Sequence, residues 1–152
     1  MFESLPDIPR LFTALAEWGA ALVYVFVVAR SASSNALNPN AAIPRWRLTV
    51  ATVGGLVVLA SAQELLGRAP LSLWVPGMMT AYALVWCVIR VGTALDWRWV
   101  THMSTRAFIV AELAASLAWQ VVVYSHADRP YWHPASFGGF AAIAVTCLAV
   151  VY

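Results

Sequence analysis

Residues 48–66 read LTVATVGGLVVLASAQELL. The run holds one charge, Glu64, and one amide, Gln63, both near its end. At 1.5 Å per residue a helix of this length covers ~28 Å, close to the thickness of a bilayer's hydrocarbon core. Backbone groups in lipid must be satisfied internally, so such a run is read as a helix. A barrel strand would alternate polar and apolar residues over about ten positions, and this run does not. Pro44-Arg45-Trp46-Arg47 precedes it and Gly67-Arg68 follows it, as polar and aromatic flanks at the two water interfaces.

Four further apolar runs lie outward from it, at about 11–29, 71–89, 107–124 and 137–152. Together they predict an all-α fold: a polytopic helical membrane bundle of about five transmembrane helices, forming one domain over residues 1–152. The short stretch 67–70 predicts a tight turn, making the second and third helices an antiparallel hairpin. Residues 31–44 are rich in Ser, Asn and Pro and read as a polar loop. Residues 93–105 carry Asp96, Trp97, Arg98, Trp99 and His102 and suggest an interfacial segment. Residues 125–136 form a second loop with aromatic anchors. The last run reaches Tyr152 with no polar flank, so more protein is expected to follow it.

Composition supports this class. Of 152 residues, 62% are hydrophobic and 11% charged, and mean hydropathy is +0.75. Soluble domains carry roughly a quarter charged residues. The balance excludes a disordered tail and a nucleic-acid binder, and argues against a soluble enzyme. Net charge is +2, with Arg as the sole basic residue type apart from histidine. The N-terminal run follows Glu3, Asp7 and a single Arg10, which is not the basic leader of a cleavable signal. Cys87 and Cys147 both fall in apolar runs and read as small buried apolar residues. His102, His126 and His133 are scattered, no metal site is expected, and no cofactor motif is present.

Arginine placement sets the expected orientation. Arg30, Arg45, Arg47, Arg90, Arg98 and Arg106 fall on one side, against Arg10, Arg68 and Arg129 on the other. The richer side is expected to be cytoplasmic. This puts the N-terminus outside.

The chemistry-bearing candidates are carboxylates within predicted spans: Glu17, Glu64 and Glu112. A charge in hydrocarbon costs ~2.5–3.5 kcal/mol on insertion scales, so such groups normally face the bundle interior and find partners. Glu17, Gln63, Glu64 and Gln120 lie toward the outer ends of their helices and are expected to converge in an outward pocket. Glu112 lies deeper, with Arg90 and Arg106 as candidate partners. Two readings stand side by side. The carboxylates either line a ligand pocket or ion path, or form interhelical hydrogen bonds that fix packing. Glu64 can also simply reach the interface. Gly54-Gly55 allows close helix packing, and Pro76-Gly77 is a candidate helix break.

Two stretches carry a family resemblance: Ile8-Pro9-Arg10-Leu11-Phe12-Thr13-Ala14-Leu15-Ala16-Glu17-Trp18, and Arg106-Ala107-Phe108-Ile109-Val110-Ala111-Glu112-Leu113-Ala114-Ala115-Ser116-Leu117-Ala118-Trp119-Gln120. They resemble segments in the N-terminal membrane regions of bacterial sensor histidine kinases with a GHKL-type ATPase domain, a group that includes quorum-sensing peptide receptors. The resemblance implies a sensor module feeding a cytoplasmic kinase, with Glu17, Trp18, Arg106, Glu112, Trp119 and Gln120 in its core. It also implies a small peptide or small-molecule ligand and a homodimer formed through the downstream kinase region. The chain holds no phospho-acceptor or ATP-binding motif, so enzymatic activity is expected to lie outside it. The alternative is a small proton- or cation-coupled transporter or channel subunit that uses Glu17, Glu64 and Glu112.

Overall fold

The computed structural model describes residues 10–34, 43–93, 95–125, 138, 139, 141, 142 and 145. Among these, four long helices form the fold: α1 (Arg10–Ser34), α2 (Arg45–Gly67), α3 (Trp74–Thr93) and α4 (Trp97–Ser125). Three segments, Arg10–Ala32, Arg45–Gly67 and Trp74–Thr93, are long and apolar enough to cross a membrane. The expected fifth span and the loop at 126–136, with His126 and His133, lie outside the described residues apart from the five helical positions between 138 and 145.

The helices alternate in direction. α1 and α3 each pack against all the others, leaving α2 and α4 on opposite flanks. The α1–α4 seam is built from alanines. Ala14, Ala16, Ala20 and Ala21 on α1 are buried, as are Ala107, Ala111, Ala114, Ala115 and Ala118 on α4. Small side chains at three- and four-residue spacing let two backbones approach closely, the usual basis of helix association in lipid. Gly92 serves the same end on α3. A methyl group there would stand 2.7 Å from both γ-carbons of Val25 and 3.1 Å from Ala51 Cβ. Polar links join α3 to α4 on the flank. Trp86 Nε1 donates to Thr101 Oγ1 at 3.1 Å, and Tyr82 Oη lies 3.1 Å from Thr105 Oγ1.

The outer faces are apolar. Phe26, Val27, Val53, Val57, Leu65, Val75, Met79, Ile109 and Leu113 all point away from the bundle. Water would penalise so wide an apolar surface, whereas lipid would not. This places the protein in a membrane.

Several local expectations change against the structure. Residues 97–105 are the first turns of α4 and not a separate interfacial segment. Pro76-Gly77 does not break α3, because Pro76 sits in its first turn, where a missing N–H costs little. Cys87 is exposed on the outer face and not buried. Residues 50–54 form a π-helical stretch inside α2, which the sequence reading did not foresee.

Candidate functional site

The site is built at the end of the bundle where α1 and α3 begin and α2 ends. Glu17 stands two turns into α1 and is fully buried. Gln63 on α2 is almost as buried and donates from Nε2 to Glu17 Oε1 at 2.8 Å. From the opposite flank, α4 brings the half-buried Glu112 within electrostatic and hydrogen-bonding reach of the Glu17 carboxyl. Glu17 Oε2 and Glu112 Oε1 are buried and have no hydrogen-bond donor among the described residues. Two carboxylates this close in an apolar interior repel unless a proton or a cation lies between them.

Arg10 completes the cluster. It lies two turns before Glu17 on the same face of α1, and its charge acts on Glu112. Its stem lies over Gly67 at the end of α2, where a Cβ would meet Arg10 Cγ at 2.8 Å. A glycine there leaves room for the arginine to cross the helix end. Phe12, two residues after Arg10 on α1, packs on Trp119 of α4 with ring centroids 6.1 Å apart and planes inclined at 56°. This aromatic pair closes the α1–α4 side of the site.

A pocket of about 210 Å³ opens beside this cluster. Arg10 and Gln63 supply its polar wall, and Leu66, Leu73, Trp74 and Met78 much of its apolar wall. Gln63 therefore faces two ways: it borders the pocket and holds Glu17. Away from this end the bundle interior is largely apolar among the described residues. Val25, Ala51, Val85, Ile89 and Val100 fill most of it, and the Tyr24 hydroxyl and Arg47 Nε are buried there as well. The Ser104 and Thr93 hydroxyls donate to their own helix backbone at 2.7 Å each.

The sequence candidates divide clearly. Glu17, Gln63, Glu112 and Trp119 come together. Trp18 sits beside them but turns to α2, its indole N–H donating to the Thr52 carbonyl at 2.8 Å within the π-helical stretch. Glu64 is exposed and pairs with Arg68 at 3.1 Å. Gln120 and Arg106 are exposed on α4. Glu112 does not meet the expected arginines: Arg90 donates to the Leu95 carbonyl at the far end of the bundle. Its partner is Glu17, because α4 starts a full ten residues before the apolar run and carries Glu112 to its middle. Arg10 was read only as a flanking charge. Its seven-residue spacing to Glu17, two helical turns, is the signal that places it in the site.

No family model, curated protein or solved structure matches the chain, so the resemblance to sensor-kinase membrane regions rests on the residues quoted for it.

Proposed function

We propose that this chain is a membrane-embedded receptor module that binds an extracytoplasmic signal and passes it to a cytoplasmic kinase domain outside these residues. One observation carries the reading: a buried carboxyl pair lies next to a pocket at one end of the bundle. A site that couples binding to a change of state needs groups whose energy differs between two packings. Glu17, Glu112 and Gln63 meet that need, since a shift of α4 against α1 changes how the two carboxyls are satisfied.

Orientation supports the reading. Helix direction gathers Arg30, Arg45, Arg47, Arg90 and Arg98 at the end away from the pocket. By the positive-inside tendency that end is cytoplasmic, and the pocket faces outward. α4 then serves as the fourth span. Homodimerisation through the kinase region follows from the family resemblance alone.

The second reading is a proton- or cation-coupled transporter built on Glu17 and Glu112. Buried carboxyls favour it, and the largely apolar filling by Val25, Val85, Ile89 and Val100 speaks against it. Glu17→Gln and Glu112→Gln separate the two. In a receptor, both shift basal autophosphorylation of the full-length protein and leave proton flux into liposomes unchanged. Loss of a wild-type flux in both variants establishes the transporter. Unchanged output and flux with a lowered melting temperature reduce the pair to packing.

A further inference from the structure

The pocket and the carboxyl pair have complementary charge. Arg10 is the charged side chain among the pocket-lining residues, and the remaining wall is the Gln63 amide with aliphatic, aromatic and thioether groups. A guanidinium at the rim of an apolar cavity matches a carboxylate carried on a short apolar body. The cavity, about 210 Å³, suits a small ligand.

The same arginine lies two turns before Glu17 on one face of α1, and its charge acts on Glu112. Among the described residues, the charged and titratable groups around the pair are few. α1 presents Arg10 and Glu17, α2 the neutral Gln63, and α4 Glu112; the Glu64–Arg68 pair of α2 points outward. Arg10 and a carboxyl pair sharing one proton are neutral together. A carboxylate that pairs with Arg10 adds one negative charge in apolar surroundings. Uptake of one proton by Glu17 and Glu112 restores neutrality.

We propose that the pocket binds a small amphipathic monocarboxylate through Arg10, and that binding draws one proton onto the Glu17–Glu112 pair. The inference rests on the receptor reading for its purpose, but its chemistry is tested independently. Purified full chain in detergent is titrated by calorimetry with hexanoate, with hexylammonium as the opposite-charge control. Titration in two buffers of different ionisation heat counts the protons taken up. Saturable hexanoate binding is expected, with about one proton absorbed and affinity rising up to about tenfold per unit fall in pH. Arg10→Gln should weaken binding at least tenfold, and Arg10→Lys should retain part of it. Glu112→Gln should keep hexanoate binding and lose the proton uptake. Helix content by circular dichroism confirms that each variant folds. Absence of saturable hexanoate binding, preference for hexylammonium, or an Arg10→Gln variant that binds normally overturns the proposal. If hexanoate fails to bind while Glu17→Gln still shifts autophosphorylation, the ligand class is wrong and the receptor reading stands.

Discussion

Gln63 Nε2 lies 2.8 Å from Glu17 Oε1 in the bundle interior, joining α1 to α2 across 46 residues of sequence. The bond gives a buried carboxyl one of the few donors within its reach. Gln63→Leu removes that donor and leaves the oxygen without it, which costs ~1–3 kcal/mol. Thermal unfolding in detergent should show a clear loss of stability. Replacing both residues by leucine should recover most of it, because neither polar group is then stranded.

Gly92→Ala tests the closeness of α1 and α3. The new methyl group would overlap both γ-carbons of Val25 at 2.7 Å. Overpacking of this kind costs ~1–3 kcal/mol. Val25→Ala removes those carbons, so the double variant should unfold at a higher temperature than Gly92→Ala alone.

Trp18→Phe keeps the ring and deletes the indole donor to the Thr52 carbonyl. Interhelical hydrogen bonds in membrane proteins average ~0.6 kcal/mol, so the loss of stability should be small. Hydrogen exchange at the amides of residues 50–57 is the sharper readout. Exchange should quicken there and stay unchanged in α3.

Orientation is open to chemical labelling. Arg68 lies at the pocket end and Arg98 at the other. Both are exposed. In intact cells an impermeant thiol reagent should modify Arg68→Cys and spare Arg98→Cys, with Cys87 and Cys147 replaced by serine in both. The reverse pattern would turn the pocket toward the cytoplasm.

The helical class and the hairpin between α2 and α3 are legible in the sequence, because hydropathy and chain length determine them. Which polar residues meet is not, since it depends on helix rotation and register. Gln63 and Glu64 are neighbours, set ~100° apart around the helix, so turning one inward turns the other out. Trp119 and Gln120 divide in the same way. Depth counted from the start of the apolar run sets Glu112 near Arg90 and Arg106, whereas Trp97, Arg98 and Trp99 are already helical and carry it to mid-helix. Arg10 was hidden by its place at the edge of a run, where an arginine is most often a flank.

The π-helical stretch at Val50–Gly54 has a consequence for sequence change over time. Each of its wider turns holds about one residue more than an α-turn, so it amounts to a single-residue insertion absorbed in place. Deleting one residue between 50 and 54 would let α2 rewind as an ordinary helix without breaking it. The half beyond the deletion would then swing by ~100°, carrying Gln63 away from Glu17 and off the pocket wall. A lineage that loses that residue keeps its span of the bilayer and loses its site in the same step.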